Sequence, residues 1–248
     1  MPYIDSHCHI NSLSPFQEQE VLAACAKDFI LIDSGIDLKG CQRSLELSGK
    51  HPFVYSALGF HPFSAAQFDQ TTIAQYQSMI ESSKRVVAIG EIGLDAKAPD
   101  PAAQEKVFRE FLGLAQANGL PVAIHNRGFD QRTLEILDEF FTSYEKVVFH
   151  CFSGGPDILK QIINKDGQIS FSLNILRKKA LILDSLKVCP PTNLLLETDS
   201  PYMKVKERSS GPQDVKAVYA FAAEAQNVSL EGLSRQVQSN AFRLFQLA

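Results

Sequence analysis

His7 and His9 stand one residue apart in Asp5-Ser6-His7-Cys8-His9, directly after a short apolar run. In an extended segment successive side chains alternate faces, so both imidazoles project to one side and Cys8 to the other. A pair with that spacing can hold one ion at about 2.0 to 2.1 Å per Zn–N bond without backbone distortion. Taken alone, the pair is weak evidence, and an ordinary polar strand end accounts for it better. Other polar residues repeat its placement: Glu91 follows Val86-Val87-Ala88-Ile89-Gly90, His125 follows Pro121 to Ile124, His150 follows Lys146 to Phe149, and Asp199 follows Asn193 to Leu196. His61, after Val54 to Gly59, makes five of the six histidines with this position, His51 being the exception. An acid such as Glu91 directly behind a buried strand is costly unless a cation answers it. The cation is either a metal or Arg127, the one arginine that adjoins these strand ends. A carboxylate has two oxygens and can bridge two ions, with His125 and His150 completing a second site beside the first. Asp199 lies after the last run, next to the first one if the sheet closes, so it reaches the His7/His9 ion and has an oxygen free to take a proton from water. Glu197, two residues earlier on the same face, reads as a supporting or structural acid.

Eight short β-branched or aliphatic runs recur along the chain. They are Tyr3 to Ser6, Phe29 to Ser34, Val54 to Leu58, Val86 to Gly90, Pro121 to Ile124, Lys146 to Phe149, Gln168 to Ser172 and Asn193 to Leu196. Longer segments with helical spacing lie between them, the pattern of repeated βα units and a parallel sheet. Gln104 to Asn118 places Val107, Phe108, Phe111, Leu112 and Ala115 at spacings of three and four, and Asn118-Gly119 followed by Pro121 stops it. Leu230 to Leu247 is a second amphipathic segment, while Ala96 to Ala103 and Lys204 to Pro212 read as loops. With 248 residues, 45% of them hydrophobic, the chain matches the usual size of one (β/α)8 TIM barrel, and we expect a single domain over residues 1–248. In that fold the chemistry sits at the C-terminal ends of the strands, which is where the histidines and acids fall.

Six ordered blocks resemble the TatD-type hydrolases of the amidohydrolase superfamily. They are Asp5-Ser-His-Cys-His9, Gly59-Phe-His-Pro62, Gly90-Glu-Ile-Gly-Leu-Asp95, Leu120-Pro-Val-Ala-Ile-His125, His150-Cys-Phe-Ser-Gly154 and Glu197-Thr-Asp-Ser-Pro-Tyr202. The resemblance runs from Asp5 to about Phe245. It implies a binuclear centre in which His7, His9, Glu91 and Asp199 hold one ion and Glu91, His125 and His150 the other. It further implies a metal-dependent deoxyribonuclease with 3'-5' exonuclease-like action on DNA. The chain departs from the family pattern where Phe63 follows His61-Pro62 in place of a common second histidine, where Ala96-Lys97 follows Asp95, and in a short loop after Tyr202.

Two divalent ions against two ligand carboxylates leave about +2 at such a centre, which suits an anionic substrate. In the mechanism this implies, Asp199 orients and deprotonates the attacking water, Glu91 bridges, and His61 contacts a phosphate oxygen or the leaving group. Arg127 and Lys204 are candidate phosphate contacts, with Lys206 and Arg208 as weaker ones that equally fit a solvated loop. Ser153-Gly154-Gly155-Pro156 offers backbone N–H groups for a phosphate, or is a plain tight turn. Imidazole and carboxylate ligands without thiolate suit Zn, Mn, Ni or Co, whereas Mg, which the resemblance implies for activity, prefers oxygen shells. A rival of the same fold would cleave an ester, lactone, amide or aminoacyl-nucleotide bond; the absence of a strand-end lysine argues against the amide-cleaving relatives. A catalytically idle nucleic-acid or protein-binding scaffold is the other rival, and no missing ligand favours it.

The net charge of -4, with no strongly basic segment, excludes a broad electrostatic footprint for nucleic acid, so a polyanion must be gripped locally. Neither a signal peptide nor an apolar run of roughly 18 residues is present, so we expect a cytoplasmic protein without membrane association. No obligatory protein partner is indicated. The five cysteines form no CxxC pair and read as reduced thiols.

Overall fold

A computed structural model describes residues 2–247. The eight runs become eight strands: β1 (Tyr3–Cys8), β2 (Phe29–Gly35), β3 (Val54–Leu58), β4 (Val86–Asp95), β5 (Val122–Arg127), β6 (Val147–Phe149), β7 (Gln168–Phe171) and β8 (Leu194–Leu196). Each pairs in parallel with its successor, in the order β1 to β8. Parallel neighbours cannot be joined by a tight turn, so a crossover helix follows each strand. These are α1 (Pro15–Cys25), α2 (Leu38–Lys50), α3 (Thr72–Ser82), α4 (Pro101–Asn118), α5 (Asp130–Phe140), α6 (Pro156–Ile163), α7 (Ala180–Val188) and α8 (Val215–Ala225), with α9 (Leu230–Phe245) closing the chain. The result is the expected (β/α)8 arrangement. Strands covered by side chains inside and helices outside are apolar on both faces, and β3 and β4 are buried along their full lengths. No described helix is long and apolar enough to cross a membrane.

Helix α4 shows how local rules set an element's limits. The Asp100 side chain accepts a hydrogen bond from Ala103 N at 3.0 Å, Pro101 opens the first turn, and Gly119 at φ 64 ends it. Val107, Phe108, Phe111, Leu112 and Ala115 are all buried on its inner face. The segment Ala96 to Ala103, read as a loop, therefore yields its last three residues to this helix. Lys204 to Pro212, also read as a loop, holds a short antiparallel hairpin of β9 (Lys204–Val205) and β10 (Arg208–Ser209), turning at Lys206 with φ 56. Two paired residues per strand are too few for an alternating pattern to show in the sequence.

The ring is drawn together at the β1/β8 seam, at the end that carries the polar residues. Asp199 N donates to His7 O at 3.0 Å and His9 N donates to Ser200 O at 2.8 Å. The buried Asp5 carboxylate accepts from Thr198 N at 2.9 Å and from Thr198 Oγ1 at 2.6 Å. These bonds join the first functional block to the last across nearly the whole sequence.

Strands β1, β4 and β5 run further than their apolar cores suggest, and Glu91 and His125 lie within strands. Close packing of backbone makes this possible. A Cβ on Gly59, just after β3, would stand 2.0 Å from Glu91 N, and one on Gly93 would stand 1.9 Å from His125 O. Only a residue without a side chain lets β3 approach β4 here. Gly59→Ala is therefore expected to destabilise the protein by at least about 2 kcal/mol in chemical denaturation and to lower metal uptake together with stability. Unchanged values of both would contradict this account of the approach.

Candidate metal centre

Barrel geometry converts six separated strand ends into one cluster. At its middle is Glu91, buried to 4% exposure, and its two carboxylate oxygens face different partners. Oε2 lies 3.5 Å from both His7 Nε2 and His9 Nε2. Oε1 lies 2.6 Å from His125 Nδ1, 2.8 Å from His150 Nε2 and 3.4 Å from His61 Nε2. Asp199 Oδ1 is 3.5 Å from His9 Nε2. Donor atoms within 4.8 Å of one another form four groups: His7/His9/Glu91, Glu91/His125/His150, His7/His150/Asp199 and His61/Asp95/His125.

The partners on the far side of each ring dictate where its proton sits, because carbonyls and carboxylates accept only. His9 Nδ1 donates to Ser34 O at 2.7 Å, so in the neutral ring the Nε2 lone pair points into the cluster. The Ser34 hydroxyl is 3.2 Å from His7 Nδ1, and thus one β2 residue orients both members of the first pair. Their Nε2 atoms converge to 3.1 Å, as expected for side chains on one face of β1, while Cys8 points away, its Sγ 3.5 Å from Ile32 O. His125 Nε2 faces Asp95 Oδ2 at 2.9 Å, which leaves its Nδ1 aimed at Glu91 Oε1. Two lone pairs cannot meet at 2.6 Å, so a second proton or a metal ion has to lie between them. His150 Nδ1 is 3.4 Å from Glu197 Oε1 without hydrogen-bond geometry, and that same oxygen accepts from Cys151 N at 2.7 Å. His61 is oriented the opposite way. Its Nδ1 accepts the Phe63 backbone N–H at 3.2 Å, so its Nε2–H is a donor directed into the cluster.

Charge follows the same arrangement. Burial alone pushes the Glu91 carboxyl up, but the imidazoles of His150, His61 and His125 hold it well below its usual range. For His150, burial is outweighed by Glu91 and Glu197, which lift it well above the ordinary histidine value. His9 and His125 are lifted likewise against burial, the first by Asp199 and Glu91, the second by Asp95 and Glu91. His7, buried and beside His150, is held low. Protons therefore collect in the metal-free cluster where cations fit. Inward lone pairs from imidazoles, a low-lying carboxylate between them and no cysteine in any of the groups make a donor set suited to divalent ions.

The cluster floors a cavity of about 700 Å³ whose lining includes His61, Phe63, Asp95, Arg127, Asn174, Arg177, Lys179, Asp199 and Tyr202. Arg127 is among those lining residues. Lys204 is not among the lining residues; it lies exposed at the start of β9, directly after Met203, which does line the cavity. Arg208 is engaged by Asp214 at 2.6 Å. Ser153 lines the cavity just before α6. Sequence reasoning missed Asp95, Ser34, Arg177 and Lys179. Asp95 was findable from period-two alternation with Glu91 once β4 is extended, whereas Arg177 ends a short 3-10 helix and Lys179 precedes α7, where there is no strand signal.

Known proteins match this architecture along its length. The sequence pattern of the family described as TatD related DNase covers residues 4–246. An uncharacterised metal-dependent hydrolase of Methanocaldococcus jannaschii is 32% identical, the match covering 98% of this chain and 96% of that protein. A 3'-5' ssDNA/RNA exonuclease TatD of Enterobacter lignolyticus is 28% identical over 96% of this chain and 98% of its own. The crystal structure of a TatD homologue from Escherichia coli superposes with a TM-score of 0.91 at 28% identity, covering 99% of this chain and 98% of the other. The chain belongs to the TatD family of metal-dependent hydrolases.

Proposed function

We propose that the protein is a metal-dependent deoxyribonuclease that hydrolyses phosphodiester bonds of DNA from a 3' end at a two-ion centre. One observation carries the two-ion reading: the oxygens of Glu91 address two different imidazole pairs, His7/His9 and His125/His150. In this reading His7, His9, Glu91 and Asp199 hold one ion and Glu91, His125 and His150 the other. Bound there, divalent ions would neutralise phosphate charge and make water a stronger acid. The reading as a nuclease is supported by the exonuclease name of the relative at 28% identity and by cations at the cavity mouth.

The protein's own groups then have definable tasks. Asp199, half-buried at the seam, accepts the proton of the attacking water as the new P–O bond forms. His61 presents Nε2–H to a phosphate oxygen or to the departing ester oxygen as the old P–O bond breaks. Asp95 holds the ring of His125 from behind, and Glu197 places its charge 3.4 Å behind that of His150. Arg127 stands at the mouth as a contact for a neighbouring phosphate.

Asp199→Asn is expected to keep most of the bound metal and lower kcat by about 10²- to 10⁴-fold, measured by metal analysis beside turnover; full activity would remove Asp199 from the mechanism. Because His9, His125 and His150 hold protons above their ordinary range when metal-free, ion binding near neutral pH should release protons, and affinity should fall as pH falls. Titration calorimetry in two buffers of different ionisation enthalpy measures this, and identical heats in both would contradict it. A panel of single-stranded DNA, duplex DNA, RNA, a phosphodiester dye and a carboxyl ester, with each ion restored in turn, decides the substrate: turnover of the ester alone would defeat the nuclease reading.

A further inference from the structure

The mouth of the cavity carries aromatic and cationic side chains on different strand ends, and the two sets meet where β7 pairs with β8. From β8 round through β2 to β3 the lining residues include Tyr202, Ile36 and Phe63; from β5 to β7 they include Arg127, Arg177 and Lys179. Single exposed apolar residues are common on any protein. Here, however, two aromatic rings share one arc of a polar mouth, Phe63 at 54% and Tyr202 at 55% exposure.

Both rings are held by residues of the metal centre. The Phe63 ring lies nearly parallel to the His61 imidazole, at 15° with centroids 5.5 Å apart. Phe63 N also donates to His61 Nδ1, so backbone and ring are tied to the same histidine. Tyr202 meets the His9 ring edge-on, at 62° and 4.8 Å. Rings fixed in this way give up little conformational freedom when a flat ligand stacks on their open faces. After β5 and β7, Arg127, Arg177 and Lys179 are exposed; Arg127 lies near enough to Asp95 to lower its carboxyl, and Arg177 Nη2 is 3.8 Å from Met203 Sδ, but none of the three forms a salt bridge among the described residues.

We propose that Phe63, assisted by Tyr202, stacks the unpaired base next to the bond being cut, while Arg127, Arg177 and Lys179 take phosphates of the continuing strand. This inference rests on the nuclease reading and adds to it a residue that sets substrate preference. An unpaired terminal base has a free face to offer, whereas a base within a duplex is already stacked on both sides and must first be pulled out. Stacking on an aromatic ring is tolerant of base identity, so the arc selects for the presence of a base and not for a sequence.

The test uses the metal-reconstituted protein and single-stranded oligonucleotides that end either in an ordinary nucleotide or in an abasic tetrahydrofuran residue, placed at each end in turn. The protein is expected to prefer the base-bearing end by about tenfold in kcat/KM, the scale of one base stacking on one ring. Phe63→Ala should shrink that preference toward unity through KM, with kcat the less affected quantity, and Phe63→Trp should restore it. A preference that survives Phe63→Ala overturns the proposal, as does equal cleavage of both substrates by the unsubstituted protein. Cleavage of neither substrate is a different result, because it defeats the nuclease reading and this inference together.

Discussion

A carboxylate placed at the centre of a barrel mouth, nearly buried and ringed by imidazoles, is the constraint from which the rest of the structure follows. An isolated ionised acid in that position would be expelled or neutralised. Glu91 stays ionised because five histidines from four other strand ends approach it within 3.5 Å. Each of those rings must present a particular nitrogen, so each needs a partner behind it. Ser34, Asp95 and Glu197 supply those partners from three further positions. The demand for charge compensation thus spreads outward from one residue into most of the strands.

Backbone packing answers the same demand. Gly59 and Gly93 allow β3 and β5 to lie against β4 where a Cβ would collide, and this close approach brings His61 and His125 within reach of Glu91. At the seam, Asp5 and Thr198 join the ends of the chain, and the Asp199 N–H bond to His7 O sets the last acid beside the first histidines. Stability and site geometry are therefore coupled: the bonds that close the ring also align the donors.

Much of this was legible in the residues. Alternation along an extended strand made His7 and His9 neighbours, and the repeated placement of histidines and acids behind apolar runs marked the rim of a parallel barrel. The ends of β4 and β5 were less so, since glycine and polar residues interrupt their apolar runs although the pairing continues. Lys204 resembled a phosphate contact by its position in the chain, and it stands exposed at the start of the β9/β10 hairpin, next to the cavity-lining Met203. Arg177 and Lys179 carried no local signal and yet line the cavity.

What the sequence by itself determined is the inventory of donors and the strand ends that carry them, because periodicity and side-chain chemistry act over a few residues. Only the tertiary structure decided which nitrogen of each histidine faces inward, that the two oxygens of Glu91 serve different pairs, and which aromatic and cationic side chains gather at the mouth. Those outcomes depend on contacts between segments remote in the chain, and angles and distances of that kind exist only once the barrel has closed.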